Sequence, residues 1–550
     1  MNSRPLVNRW TPVTGRPLAN RWRCGLVLLL SAALTVVLPS PADAAVAHGQ
    51  IEGTGSSWAA NAINTWIAGV EPQGLKVTFS ETGSAQGRKD FANNTVDYAV
   101  TDIPYQGKDP KTGSNDTSQG RPYAYLPVAA GGTSLPYNIK VAGKQVTNLR
   151  LSGRTVALIF TNRITNWNAP EITADNNGHV LPSMPIRPVV HAEGSGSTAQ
   201  FTAYLARQYP DIWGPFNGQS AQTATMTEYF PAKGQQVPRD KSDGVMNYIV
   251  SASGAGSIGY NEYSFALHAN FPVVKLKNTA GYYTLPTDMN VAVSLTQAEI
   301  EYDRNSPNYL TQKLERVYTH NDVRTYPMSS YTYVVLPIGG DADAQETRLR
   351  NATNKRQTLV DFLYYSLCEG QRPMGPLGYS PLPLNLVQAG FEQVQKLKAA
   401  DPAVQLEQRD VNNCNNPTFV AGHPDQNYLA QIAPKPADCD RFDQGPCGGA
   451  ASGTAGGSSG VGGEKTTMQD GSSSNAGPKV DPDTGQVITD KAGAQADRDA
   501  SGVVNELAGS RTSGLTGVLG PLAVLELLAV LMVPVLLNQR FARRRRGSQP

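Results

Sequence analysis

The chain of 550 residues is poor in the residues on which metal-dependent and thiol chemistry depends. It contains five cysteines and six histidines, and no pair of cysteines has the CxxC spacing of a zinc site. It also lacks the HExxH motif of zinc proteases and the Walker A motif of nucleotide-binding enzymes. We therefore expect a protein that is not an enzyme and that uses no cofactor and no metal ion.

The N-terminal end is typical of an export signal. Residues 1–44 combine an arginine-rich start, an apolar run over 25–38 and a small-residue cleavage site at Ala42-Asp43-Ala44. The alternative is a signal that stays uncleaved as an anchor. In either case the following residues are predicted to lie outside the cytoplasm.

The C-terminal end indicates a membrane anchor. Residues 515–537 are almost wholly apolar, with Glu526 as the only charge, and this length suffices to cross a bilayer. The basic residues of 538–550 follow at once, which favours a cytoplasmic tail. We predict a single-pass protein of the cell membrane whose binding domain is extracellular.

The segment 448–513 has no aromatic residue and is rich in Gly, Ser, Ala, Asp and Thr. Such a composition cannot bury enough apolar surface to fold, so it predicts a disordered stalk. As a flexible coil the stalk would span roughly 45 Å.

The predicted exported part of the chain has no excess of positive charge. The whole chain has a formal net charge of +2, but this positive charge comes from the arginines of the predicted signal and of the tail. The remainder has about six net negative charges by the same count. Nucleic-acid binders present a basic face, so we expect no nucleic-acid partner.

The exported part retains four cysteines. They are Cys368, Cys414, Cys439 and Cys447. An even number in an exported chain predicts two disulfides, and three pairings are open. Three of the four lie in the extension 400–447, which is short of core residues and would need such cross-links.

Three short Gly/Ser turns, each opening a helix-like segment, indicate where a ligand could bind. They are Gly53 to Trp58, Thr82 to Arg88 and Glu193 to Thr198. A helix N-terminus has free N–H donors and partial positive charge, which favour an oxyanion. One such turn is weak evidence, because Gly and Ser are common caps, but three that converge would form an anion site.

Strand-like and helix-like segments alternate along the folded part, which predicts an α/β fold. Strand patterns occur at Leu75–Ser80, Val96–Thr101 and Ile186–His191. Ligands of open α/β sheets bind at the carboxyl ends of strands, and all three turns follow such ends.

Over residues 50–397 the sequence resembles the phosphate-binding proteins of phosphate ABC transporters. The resemblance rests on the first two turns, on Asn94 to Asp102, on Thr155 to Phe160 and on Ile164 to Asn168. It continues in the order expected for the family through these motifs: Gly194 to Ser197, Asp243-Gly244-Val245, Gly256 to Tyr260, Tyr326 to Ser330 and Leu377 to Pro383.

The resemblance implies a two-lobed periplasmic-binding-protein fold, also called the Venus-flytrap architecture. It covers residues 48–399, with lobe 1 at about 48–132 and 290–399 and lobe 2 at about 133–289. The lobes would close on one dehydrated phosphate, and an ABC permease would be the partner.

The resemblance also implies the phosphate ligands. Carried over by position, they are Ser57, Trp58, Ser84, Asp102, His191, Ser195, Gly196 and Ser197. Asp102 would accept a hydrogen bond from a protonated phosphate oxygen. Sulfate has no such proton, so Asp102 would exclude it.

The chain departs from the family at the residue that would supply positive charge. His191 stands where the family has a phosphate-binding arginine, and Glu193 stands where an acid orients that arginine. Arg88, in the second turn, is an auxiliary candidate for the missing cation; the alternative is that it faces solvent.

Two functions remain open. The first is a membrane-anchored receptor that captures inorganic phosphate for ABC-type uptake or sensing. The second is a cell-surface interaction module that reuses the fold, or a binder of a different small oxyanion.

Overall fold

The structure is a computed structural model that describes most of residues 47–447. The described residues are 47–108, 113, 115–406, 411, 414, 416–420, 422–423, 425–447, 479–480 and 487–488. The predicted signal, membrane helix and cytoplasmic tail lie outside them. No helix within the described ranges has the length and apolar character needed to span a membrane.

The main sheet has seven strands and forms the centre of the fold. Its strand order is β13-β6-β18-β3-β1-β2, and β19 also pairs with β6. The strands are β1 (Ile51–Gly55), β2 (Val77–Glu81), β3 (Tyr98–Thr101), β6 (Tyr123–Ser134), β13 (Asn261–Glu262), β18 (Ser329–Pro337) and β19 (Tyr379–Ser380).

Parallel pairing brings the first two predicted turns to one edge of the main sheet. β1 pairs in parallel with β2 and β3, whereas β18 runs antiparallel to both β3 and β6. Nearly all residues of β3, β6 and β18 are buried, which explains their continuous runs of apolar and small side chains. The carboxyl ends of β1, β2 and β3 therefore lie side by side.

Helices with one apolar face cover the main sheet. Helix α1 (Ala60–Val70) buries Ala60, Ile63 and Trp66, and Ile67 on the same face is partly buried. It packs against α11 (Thr353–Leu367), which in turn packs against α13 (Leu384–Ala400). Helix α2 (Ser84–Ala92) packs on β1 and β3.

A second sheet of three parallel strands lies between residues 187 and 259. Its order is β11 (Val237–Arg239), β10 (Arg187–His191) and β12 (Ser257–Gly259). Residues 153–268, here called the second-sheet region, contain the helices α3 (Gly153–Phe160), α4 (Pro170–Asp175), α5 (Gly196–Gln208), α6 (Pro210–Phe216), α7 (Lys241–Val250) and α8 (Tyr263–His268). The α/β class is thus confirmed, and the proposed lobe boundaries stay a prediction.

Shorter elements complete the described fold. The strands are β4 (Gly107–Lys108), β5 (Asn115–Asp116), β7 (Lys140–Val141), β8 (Lys144–Gln145), β9 (Arg150–Leu151), β14 (Lys275–Lys277), β15 (Tyr283–Thr284), β16 (Glu299–Ile300) and β17 (Gln312–Lys313). The helices are α9 (Asp288–Leu295), α10 (Glu315–Tyr318), α12 (Met374–Leu377) and α14 (Tyr428–Ile432).

Within the predicted stalk, the structure describes a pair of two-residue strands. These are β20 (Lys479–Val480) and β21 (Val487–Ile488), which pair antiparallel. This differs from the expectation of disorder along the whole segment. The sequence between them, Asp481 to Gln486, is rich in Asp, Pro and Gly, the residues that favour turns.

One disulfide and a buried ion pair tie the extension to the core, and a second disulfide closes a loop within the extension. Cys368 pairs with Cys414 and Cys439 pairs with Cys447, which confirms two disulfides and selects one of the three pairings. Lys275 forms a buried ion pair with Asp440 at 2.9 Å. Loss of either partner would leave an unpaired buried charge, which is costly, so the ion pair holds the extension in this position.

The disulfides predict a stability difference that depends on loop length. Cys368–Cys414 spans 46 residues, whereas Cys439–Cys447 spans 8. Because a longer loop loses more unfolded-state entropy, replacing Cys368 and Cys414 by alanine should lower the free energy of unfolding by about 2–4 kcal/mol. The matched Cys439→Ala, Cys447→Ala variant should lose less. Urea unfolding without reductant measures both, and an equal loss would contradict the loop-length argument.

Candidate anion-binding site

Asp102 lies at the centre of the predicted site. It directly follows β3 and its side chain is almost completely buried, with 2 % of the residue exposed. Its Oδ2 accepts hydrogen bonds from Ser56 Oγ at 2.7 Å and from Ser84 Oγ at 3.0 Å. One carboxylate oxygen therefore joins the first turn to the second.

The third turn meets the same carboxylate. Gly196 is the first residue of α5, and a Cβ added there would overlap the Asp102 carboxyl group. Gln200 Nε2, one turn further along α5, donates to the Asp102 backbone carbonyl at 2.8 Å. The second and third turns also touch directly, because Ala85 N–H donates to the Gly194 carbonyl at 3.1 Å. The three turns therefore converge on Asp102.

The first turn depends on a backbone conformation that favours glycine. Gly55 has a φ of 137°, and a Cβ there would collide with the Val100 carbonyl oxygen. Without a side chain at this position, the chain can pass β3 closely and present Ser56 to Asp102. Ser56 was not among the predicted ligands, although its neighbour Ser57 was.

Burial raises the pKa of Asp102 above its ordinary value. The nearby Thr332 hydroxyl, the hydrogen bonds from Ser56 and Ser84 and the charge of Arg88 act in the opposite direction, but they do not offset the loss of hydration. Asp102 Oδ1 has no hydrogen-bond partner among the described residues. The carboxyl group thus holds a proton more readily than usual and has a free oxygen to share one.

The predicted ligands Ser57 and Trp58 form their contacts with residues other than Asp102. Ser57 Oγ lies 3.0 Å from Ser242 Oγ and accepts the Ser242 N–H at 3.2 Å. The Trp58 ring packs edge-on against Tyr379, whose hydroxyl donates to the Trp58 carbonyl at 2.6 Å. Ser57 thereby links the first turn to α7 of the second-sheet region.

His191 and Glu193 form a pair at the end of β10. His191 Nδ1 lies 2.7 Å from Glu193 Oε1, while Glu193 Oε2 accepts the Lys241 N–H at 2.9 Å. Burial raises the pKa of Glu193, but the charge of His191 and these hydrogen bonds outweigh it, so the pKa is lowered. Glu193 therefore stays ionised and fixes the His191 ring with its Nδ1 proton toward the carboxylate.

Several buried polar atoms of the predicted site lack a hydrogen-bond partner among the described residues. They are Trp58 Nε1, Thr82 Oγ1, Asp102 Oδ1, His191 Nε2 and Ser197 Oγ. Buried polar groups in native proteins are nearly always hydrogen-bonded. Ser195 Oγ, in contrast, caps α5 by accepting the Thr198 N–H at 3.4 Å. The unpartnered set combines donors, Trp58 Nε1 and two hydroxyls, with the acceptor Asp102 Oδ1 and with His191 Nε2, which accepts when the ring is neutral; this mixture suits a protonated oxyanion.

Arg88 has protein carboxylates as its partners. It is completely buried on α2, and its guanidinium bonds to Asp116 and Glu228. Burial lowers the pKa of Arg88, but the two carboxylates raise it above its ordinary value. Arg88 is therefore not solvent-facing, and its role as an auxiliary phosphate ligand stays a prediction.

A metal centre is not evident in the ranges that the structure covers. No group of three or more His, Cys, Asp and Glu side chains there is arranged to hold a metal ion. The groups in contact with Asp102 include two hydroxyls and the first residue of α5, and hydroxyls and a helix N-terminus favour an anion rather than a cation.

The sequence comparisons identify the family. The model of the PBP superfamily domain matches residues 40–369. The chain belongs to the PBP superfamily, and the resemblance predicted from its motifs is confirmed.

The most similar proteins compared include phosphate-binding proteins of bacteria. Phosphate-binding protein PstS 2 of Mycobacterium tuberculosis is 27% identical over 345 residues, which cover 61% of this chain and 83% of the relative. Phosphate-binding protein PstS of Xylella fastidiosa is 26% identical over 339 residues, which cover 62% and 83%.

Among solved structures, the chain is similar to a phosphate-binding protein from Stenotrophomonas maltophilia. The TM-score is 0.47 at 17% identity, with 63% of this chain and 94% of that chain covered. An ancestral soluble variant of the human phosphate binding protein gives a TM-score of 0.47 at 19% identity, with 67% and 98% covered.

Glu81 adds an ionisable group beside the site. It ends β2, directly before the second turn, and burial together with the charge of Asp243 on α7 raises its pKa to about 7, while Lys241 acts in the opposite direction. A carboxyl group whose pKa is raised by folding binds its proton more tightly in the folded state. The folded state is therefore penalised as pH rises from about 4.5 to about 7.

This shift predicts a pH-dependent effect of Glu81→Gln. The variant should unfold at a higher temperature than the unmodified chain at a pH of about 8, where Glu81 is ionised, and at the same temperature near its ordinary pKa of 4.5. Thermal unfolding at both pH values measures the difference. Glu71→Gln, at an exposed acid, is the control and should show no such trend. A pH-independent effect of Glu81→Gln would contradict the raised pKa.

Proposed function

We propose that the chain is an extracytoplasmic, membrane-anchored solute-binding protein that captures inorganic phosphate for ABC-type uptake or sensing. The observation that carries the proposal is the meeting of three Gly/Ser turns on the buried carboxyl group of Asp102. The names of the relatives from Mycobacterium tuberculosis and Xylella fastidiosa support phosphate as the ligand. The protein would bind its ligand without chemical change.

Asp102 would give the site its selectivity for phosphate. At neutral pH, inorganic phosphate retains at least one proton, whereas sulfate retains none. The unpartnered Oδ1 of Asp102 can accept a hydrogen bond from a protonated oxygen, but it would repel a sulfate oxygen at the same place. A buried acceptor that only one of two similar ligands satisfies is an effective selectivity device.

The charge of the ligand would be balanced without an arginine. The N-terminus of α5 presents free backbone N–H groups beside Ser197, whose hydroxyl also lacks a partner. His191 Nε2, which has no partner among the described residues, would be a further ligand atom. Ser84, Ser195 and Gly196 of the predicted ligand set lie at these same turns.

The predicted ends of the chain supply the cellular setting of the proposal. The export signal and the apolar segment 515–537 support an anchored protein with its binding domain outside the cytoplasm. The stalk would hold that domain away from the membrane, and an ABC permease would receive the phosphate.

One observation favours a second candidate, a binder of a different oxyanion. The family's binding arginine is replaced by His191, and Arg88 is engaged by Asp116 and Glu228. A site with less positive charge would suit a less highly charged anion, or an interaction role in which transport has been lost.

Phosphate titration of the full chain in detergent tests the proposal. We expect calorimetric heat and a raised unfolding temperature with inorganic phosphate between about pH 6 and 8, and binding at least about tenfold weaker for sulfate. Absence of both signals with phosphate would reject the proposal. Tighter binding of sulfate would favour the second candidate.

The role of Asp102 predicts a change of selectivity in Asp102→Asn. An asparagine keeps the size of the side chain but removes its charge and adds an N–H donor, so sulfate should bind more tightly relative to phosphate by about tenfold or more. Competition calorimetry measures the ratio. The control is Asp90→Asn. Asp90 is an acid on α2, the helix that begins at Ser84, and it accepts a hydrogen bond from Thr54. This control should leave the ratio unchanged. An unchanged ratio in Asp102→Asn would contradict the role given to this residue.

A further inference from the structure

A single buried guanidinium connects the parts of the structure that hold the three turns. Arg88 Nε donates to both Asp116 oxygens at 3.0 and 2.9 Å, and Nη2 donates to both Glu228 oxygens at 2.9 and 2.8 Å. Nη1 donates to Thr101 Oγ1 at 3.0 Å. The Arg88 side chain is wholly buried, and both carboxylates are nearly so.

Arg88 is connected to the proposed site through its own helix and through Thr101. Arg88 lies on α2, whose first residue, Ser84, bonds to Asp102. Thr101 immediately precedes Asp102, and its hydroxyl also donates to the Ile103 carbonyl at 2.7 Å. The guanidinium therefore supports the second turn and Asp102 from behind.

Glu228 extends the connection to the third turn. Its backbone carbonyl accepts the N–H of Ser195, the residue that caps α5, at 2.9 Å. The preceding residue, Thr227, is tied to α5 as well, because its N–H and carbonyl both bond to the Thr202 hydroxyl, at 2.9 and 2.7 Å. The position of Glu228 thus sets the position of the third turn.

The two carboxylates belong to different parts of the fold. Asp116 ends β5, within the predicted lobe 1 that also contains Arg88, whereas Glu228 lies between α6 and β11, in the predicted lobe 2. If the lobes separate, Arg88 retains Asp116 as a neutralising partner while Glu228 can return to water.

We propose that the Arg88–Glu228 ion pair is a clasp between the two predicted lobes, and that Arg88 is a positioning residue that sets the third turn against Asp102. The inference rests on the proposed function only for its effect on phosphate binding. Some other contacts between these parts, such as the hydrogen bond from Ala85 to Gly194, join neutral groups. A bidentate pair of charged groups is stronger and more directional than these.

The cluster provides its own matched pair of variants. Glu228→Gln leaves Arg88 paired with Asp116, and Asp116→Asn leaves it paired with Glu228. Both substitutions are nearly isosteric and both remove one negative charge from the same guanidinium. They differ in whether the remaining ion pair joins the two predicted lobes or stays within one.

The first measurement is amide hydrogen exchange of the full chain without ligand. We expect peptides covering 194–198 to exchange about tenfold faster in Glu228→Gln than in Asp116→Asn, because the backbone carbonyl that accepts the Ser195 N–H is then no longer held in place by the Arg88 ion pair. Thermal unfolding checks that both variants are folded. Equal exchange rates over 194–198 in the two variants would overturn the clasp.

The second measurement is phosphate titration of the same two variants. Glu228→Gln should raise the Kd for inorganic phosphate by about tenfold, whereas Asp116→Asn should change it by less than about twofold. Equal weakening in both variants would overturn the positioning role. If the unmodified chain does not bind phosphate, the proposed function fails, and the exchange comparison still decides whether the clasp exists.

Discussion

The burial of the Asp102 carboxyl group is the constraint around which the site is organised. A carboxyl group withdrawn from water is costly unless its oxygens are hydrogen-bonded. The protein satisfies one oxygen with hydroxyls from two separate turns and places the group against the first residue of α5. These contacts require β1, β2 and β3 to end at one edge of the main sheet and require the second-sheet region to approach that edge.

The site combines this burial with few formal charges close to Asp102. His191 is fixed by Glu193, and Arg88 is balanced by two acids, so the polar atoms left without partners are mostly neutral donors. Hydroxyls and a helix N-terminus stabilise an anion through oriented dipoles, which need no counter-charge and no rearrangement on binding. A site of this kind can discriminate between anions by their protons.

Sequence patterns anticipated much of this arrangement because they reflect local physics. The strand patterns at Val96–Thr101 and Ile186–His191 predicted β3 and β10, which the structure contains as Tyr98–Thr101 and Arg187–His191. The motif order also predicted the family. A local sequence pattern could not show whether Ser56 or Ser57 bonds to Asp102. The two serines are adjacent, and the backbone conformation of Gly55 decides which of them is directed toward Asp102.

The sequence by itself determined the α/β class, the family, the four cysteines between residues 368 and 447 and the three turns that meet at Asp102. The tertiary structure decided which cysteines pair and which carboxylates surround Arg88. Asp116 and Glu228 are 28 and 140 residues away from Arg88 along the chain, and no periodicity or motif relates residues at such separations. Periodicity and capping act within a few residues, whereas ion pairing depends on positions that exist only after the whole chain has folded.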